Sequence, residues 1–441
     1  MKPWESFERL RVLRQLFKNN LFFTKAFLLF LMPWSLVHGE SALTTQIIGQ
    51  EDSRGKIMFG SSVAIHNSFA VVSGMKADVQ LEDSSKVKRH AGKVYVYEYR
   101  NDSWEFLQSL NASDADANDN FGFSVDISVD VIAVGSWHSD SDDAFDSGAV
   151  YIYERDAEGG WVERQKLISP ALEKSAHFGV SVALDSNRLI VGAHRQTVLG
   201  VQNAGAAYVY ERSSQGWQLV SSLSSPSPTN GQGYGRSVEL NDMQLFVGAP
   251  GSNVGAKKRS GSIDVFEFNK SVQNWTFTQS LTASDASGGD LFAEHLSVYD
   301  NTLAVGAWHE DTNGSNAGAL YIFNRKNNEW VETEKIVVPD GAENDRLGFR
   351  VGVHSKYLVA GAYNGGATYG AVGSGTAYVY KKINEKWEFF KQLSPVKDPG
   401  SEFGRSIATF NEHILVGAEK KGPGTAYFFR DFIDAVESED F

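Results

Sequence analysis

Apolar residues in this chain come in short bursts separated by polar, Gly- and Asn/Asp-rich stretches, and the bursts repeat. Runs such as "IAVGS", "LIVGA", "LFVGA", "LAVGA" and "ILVGA" read as short apolar strands. Each is followed by an alternating aromatic and β-branched segment: "GAVYIY", "GAAYVY", "GALYIF", "GTAYVY" or "GTAYFF". A further strand begins at a tryptophan: Trp104, Trp161, Trp217, Trp275, Trp330 or Trp387. Each unit opens on an F-G-x-S-V type segment, as at Phe121-Gly122 with Ser124-Val125. Seven openings, at Phe59, Phe121, Phe178, Tyr234, Phe292, Leu347 and Phe403, lie 55 to 62 residues apart. No amphipathic helix competes after residue 40.

Four antiparallel strands repeated seven times predict an all-β fold, a seven-bladed β-propeller of four-stranded blades. Glycine at the inner strands suits the crowding of backbones around the axis. The seventh unit stops after "GTAYFF" without a tryptophan strand, whereas "ALTTQIIGQ", residues 42–50, precedes the first unit as a strand without a blade. The N-terminal strand is therefore expected to complete the last blade and close the ring, leaving no open edge. The expected organisation is a signal segment over 1–39, one propeller over 42–429 and an acidic tail over 430–441.

Composition changes this picture in three places. The absence of cysteine among 441 residues excludes disulfides, thiolate metal sites and a cysteine nucleophile. A basic N-terminus (Arg9, Arg11, Arg14, Lys18, Lys25) precedes the apolar run "AFLLFLMPWSLV". Its length fits an export signal cleaved near Gly39, or an uncleaved signal anchor. This predicts secretion or display at the cell surface. From Glu40 onward 35 Lys and Arg face 52 Asp and Glu, so nucleic acid is not an expected partner and divalent cations would be attracted.

The Phe-Gly openings, together with the Phe246-Val247-Gly248-Ala249-Pro250 run, resemble FG-GAP repeats. Such repeats form the propeller head of integrin α-subunits and occur in many secreted bacterial proteins. The resemblance covers nearly the whole chain after the signal and implies an extracellular binding head, often loaded with calcium. The integrin calcium loop lies between the first and second strands, where this chain has only short turns such as "NDMQ", "YDNT" and "FNEH". The family's calcium residues therefore cannot be carried over.

Functional residues are expected on the long connections, which follow the second and fourth strands and share one face. Acidic pairs precede three openings at equal spacing: Asp114/Asp119, Asp285/Asp290 and Asp340/Asp345. Asp114, Asp116 and Asn118 form a D-x-D-x-N pattern suited to structural calcium, and Asp140, Asp142 and Asp146 form a looser oxygen-rich set. The competing reading is that these carboxylates close Asx turns. After the Val-Gly strand stand Trp137-His138, His194, Trp308-His309, Tyr363 and Glu419. Trp137, His138, Trp308, His309 and Tyr363 are candidate ligand contacts, with the alternative that the aromatics fill gaps between blades.

No nucleophile elbow, zinc motif or phosphate loop is present. The expected function is non-catalytic: a binding or adhesion propeller recognising an extracellular protein or glycan. The alternative is a polysaccharide lyase or hydrolase, since paired carboxylates with tryptophan platforms would serve such chemistry.

Overall fold

The computed structural model describes residues 44–48, 55–81, 86–141, 144–338, 341–365, 373–394 and 400–430. The expected signal segment and nearly all of the acidic tail lie outside these residues. The described chain is all-β and forms seven four-stranded antiparallel blades. Blade 2 is typical: Ser124–Ser128, Val131–Ser136, Ala149–Arg155 and Trp161–Ile168 run from the axis outward. The second strands are buried on both faces, consistent with their uninterrupted apolar sequence.

The ring closes as the sequence predicts. Thr44–Ile48 pairs antiparallel with Thr425–Phe429 and supplies the outer strand of the seventh blade. Trp104 of the first blade stacks on Phe428 across the same junction, with ring centroids 4.5 Å apart.

Two interactions, repeated around the ring, hold blade to blade. The inner one explains the Phe-Gly and Val-Gly signature. The Phe-Gly glycine adopts a left-handed conformation, φ +81° at Gly235, and so points its carbonyl at the preceding blade. There it lies over Gly192, where an added Cβ would fall only 1.9 Å from that oxygen. The serine of the same preceding blade completes the lock: Ser181 Oγ donates to the Gly235 carbonyl at 2.9 Å. Ser124 to Gly179, Ser237 to Ala293 and Ser406 to Gly60 repeat this bond.

The outer interaction is an amide clamp. Gln108 in the first blade gives Nε2–H to the Trp161 carbonyl and accepts from the Trp161 N–H, both at 2.9 Å. Gln165 clamps Trp217 and Gln279 clamps Trp330 in the same way. Glu334 accepts from the Trp387 N–H at 3.2 Å. Each clamping residue stands four positions after its own blade's tryptophan, so simple alternation would place both on one face. A β-bulge just before it, at Arg164 in the second blade, inverts that parity. Trp161 therefore packs on Phe69 of the preceding blade while Gln165 reaches the following one. Blade 3 has Ser221 in place of the glutamine.

The tight turns between first and second strands carry left-handed Asn or Asp, as at Asn67, Asp242, Asp300 and Asn411. These residue types accept that conformation more readily than others. The long connections emerge on the opposite face.

Ala293 replaces the left-handed glycine of the inner lock, a residue with a side chain held at φ +72°, as Ser73 replaces the facing glycine in the first blade. Ala293→Gly relieves that strain and is expected to stabilise the protein by about 0.5–1 kcal/mol, read as a raised urea midpoint. Gln165→Leu leaves both Trp217 backbone groups without their clamp and is expected to cost about 1–2 kcal/mol in the same titration. An unchanged midpoint would show that the clamp carries no energy.

Candidate functional site at the channel mouth

The first strands surround an axial channel containing a cavity of about 350 Å³. Its wall is built from the repeat, so departures from the repeat can be located on it. The position after F-G-x is serine in five blades (Ser62, Ser124, Ser181, Ser237, Ser406) and His295 and Arg350 in the other two. The position before it brings Arg236, Glu294, Phe349 and Arg405 from four consecutive blades. All lie near the start of the first strand, at the long-loop end. Farther along the strand, toward the short turns, Asp126 and Glu239 line the same cavity.

At the long-loop end the guanidinium groups differ in their partners. Arg236 pairs with Glu294 at 2.7 Å, and Arg405 with Glu419 at 3.2 Å. Burial raises the Glu419 carboxyl, and Arg405 opposes that rise. Arg350 has no carboxylate partner among the described residues; it donates to the Phe349 carbonyl at 3.0 Å and lies 4.6 Å from that ring's centroid. Surrounded by protein and lining the cavity, its pKa falls to about 9 through desolvation, reinforced by Arg236 and Arg405. Val351 N–H donates to His295 Nδ1 at 3.4 Å, and burial, with Arg350 and Arg236 nearby, keeps the imidazole neutral.

Three of the expected ligand contacts adjoin this cluster. Trp308 lies edge-on to Phe349 and under the Arg346 guanidinium, 5.2 Å from its centroid. His309 packs on Trp308 at 3.8 Å. Tyr363 is buried, 4.5 Å from Phe349, and accepts a hydrogen bond from Arg346. Arg405 sits over both Phe349 and Tyr363, at 4.5 and 4.8 Å. Trp308 and Tyr363 thus bridge consecutive blades while Trp308 keeps an exposed part.

Trp137 and His138 belong to a second cluster beside the same channel wall, since Phe123 lines the cavity. Trp137 stacks on Phe123 at 4.3 Å and on His138 at 4.2 Å, and meets His177 of the next blade edge-on. His138, His177 and His194 form a row with centroid spacings of 5.4 and 5.3 Å. Burial first, then the Arg195 charge, depresses His177 to about 3, so this row is neutral at physiological pH.

The acidic pairs have partners that the sequence did not reveal. Asp114 accepts from Tyr151 Oη and Lys166 Nζ, both at 2.7 Å, and Asp285 repeats this with Tyr321 and Lys335. Asp119 is raised to about 6, first by burial, and accepts the Asp116 N–H at 2.8 Å; Asp290 and Asp345 make the equivalent bond to Ser287 and Ala342. Asp116 pairs with Lys88 at 2.9 Å, and Asn118 occupies a left-handed turn position. Asp140 accepts the Asp146 N–H at 2.8 Å and closes its loop, while Asp142 lies outside the described residues. Asp340 does too. Among the described residues no three His, Asp or Glu side chains are grouped so as to hold a metal ion.

A seven-bladed propeller whose axial mouth carries the irregular, chemically rich residues belongs to the class of ligand-binding or adhesion-type scaffolds. The FG-GAP repeat model matches residues 104–153, 161–210, 275–323 and 330–380. Each stretch runs from an outer tryptophan into the next blade, and these four have Gln or Glu at the clamp position. The chain is an FG-GAP repeat propeller. No curated protein matches it.

The two channel carboxyls set a pH dependence. Burial raises Asp126 to about 7 against the N–H groups of Leu184 and Ile127, and raises Glu239 well above the usual carboxylate range, with Asp126 adding to the effect. Carboxyls raised on folding contribute stability below their unfolded pKa, and it is lost as pH climbs through the folded value. Stability from this pair should therefore decline between about pH 4 and 7 and beyond. Glu239→Gln is expected to raise Tm at pH 8 by about 1–3 °C and to change it little at pH 5. An equal shift at both values would assign the effect to packing.

Proposed function

We propose that this propeller is a secreted or cell-surface recognition module that binds a protein or glycan on its long-loop face, at the channel mouth. The observation that carries this reading is the concentration of departures from the repeat at one place: Arg236, Glu294, His295, Arg346, Phe349, Arg350, Arg405 and Glu419 in blades 4 to 7. A repeat maintained only for architecture has no use for a buried guanidinium where five blades carry serine. The N-terminal basic and apolar segment supports export. Lysines paired with Asp114, Asp285 and Glu310, and aromatics packed against neighbours at the mouth, support binding over catalysis in this reading. Calcium, if it contributes, must displace Lys166 from Asp114 and Lys88 from Asp116.

The test immobilises the full chain, exposes it to extracellular extract with calcium or with chelator, and compares variants on opposite faces. Arg346→Ala, at the mouth, is expected to reduce capture at least about tenfold, in keeping with the loss of an arginine anchor. Lys356→Ala, on the short-turn face, is expected to leave capture unchanged. The reverse ranking would place recognition on the other face, and release of a sugar product from the extract would replace binding by an enzymatic function.

A further inference from the structure

We infer that the long-loop end of the channel holds a carboxylate-binding subsite, in which the Arg350 guanidinium receives one carboxylate group of the ligand. This inference rests on the recognition reading above and names the chemistry at its centre. Charge balance in the mouth selects the class. Glu294 pairs with Arg236 and Glu419 with Arg405, which leaves Arg350 as the arginine lining the cavity with no carboxylate within ion-pair distance among the described residues; Glu294 and Glu419 act on it only from farther off. A lone charge in such surroundings is costly unless it is paired, and a planar guanidinium pairs best with a planar two-oxygen anion.

The surroundings favour a singly charged, compact group. A dianion would be left with excess negative charge beside Glu294 and Glu419, and the acidic outer surface would repel a polyanion. Phe349 forms an apolar wall under Arg350 and Arg405, and His295 lines the same cavity. The 350 Å³ volume accommodates a carboxylate with a short side chain or tail. Serine stands at the same position in five other blades, so Arg350→Ser is the substitution that the repeat itself offers.

Sodium acetate is the probe, titrated into the full chain against sodium chloride at equal ionic strength and followed by calorimetry and by Tm. Wild type is expected to bind acetate with a dissociation constant on the order of millimolar, reasonable for a ligand of so few atoms. Arg350→Ser should weaken this at least tenfold, whereas Arg164→Ser, on the outer rim, should not. Arg350→Lys, which keeps the charge but loses the planar fork, should fall between them and decides the matter if the serine variant does not fold. Equal acetate binding by wild type and Arg350→Ser, no acetate-specific effect in wild type, or tighter binding of inorganic phosphate than of acetate would each overturn the proposal. Competition by N-acetyl-aspartate amide would support a carboxylate borne on a polypeptide, and acetate binding without it would support a free small carboxylate. Acetate affinity is read independently of capture from extract, so failure of the subsite and failure of the recognition face are separate results.

Discussion

The fold depends on one close approach, that of a peptide carbonyl of one blade to the Cα of a glycine in the preceding blade. Gly235 over Gly192 is the tightest serine-locked example, with no room for a Cβ, and Gly179 over Gly135 and Gly60 over Gly417 repeat it around the ring. Bringing backbones this near would strand a buried carbonyl, and the serine hydroxyl prevents that. One glycine turns left-handed, a second leaves space and a serine satisfies the oxygen. All three residue types follow from a single geometric demand. The amide clamps on the outer strands serve the same junctions at larger radius, where blades diverge and a longer side chain is needed to span them.

That demand also makes the channel mouth open to specialisation. The serine that locks most blades lies on the channel wall, so replacing it costs one hydrogen bond and exposes a new side chain to the cavity. Blades 5 and 6 make this exchange with His295 and Arg350. Glycine packing persists there, since a Cβ on Gly306 or Gly361 would still collide with the next blade's carbonyl. Architecture and site chemistry are thus separated at the level of single residues within one five-residue segment. Two residues farther along the first strand, at mid-wall, Asp126 and Glu239 add carboxyls to the same cavity.

Much of the candidate site was only half legible in sequence. Trp308, His309 and Tyr363 stood out as irregular residues after the Val-Gly strand, and they do adjoin the mouth. Trp137 and His138 carried the same sequence signal and pack with a row of neutral imidazoles beside Phe123 on the same channel wall. For the acidic pairs, sequence left Asx turns and, at Asp114, Asp116 and Asn118, calcium both open, because the charges were visible and their partners were not. Tyr151 and Lys166 lie 37 and 52 residues from Asp114, and nothing in local spacing links them. Arg236, His295 and Arg350 were hidden for the opposite reason: they occupy positions assigned to packing. Reading the serine column down all seven copies would have exposed the latter two.

Sequence alone determined the number of blades, the order of strands, the closure by residues 44–48 and the turn chemistry, because each follows from local periodicity, glycine placement or a count of repeats. Tertiary structure decided which charges are free. A guanidinium such as Arg236 is neutralised or not according to what the next blade presents, and a lysine reaches Asp114 only because the outer strand folds back along it. It also decided which way the clamp residues face. A bulge of one residue inverts strand parity, and that inversion arises from pairing between strands, a constraint on which the residues of one strand are silent.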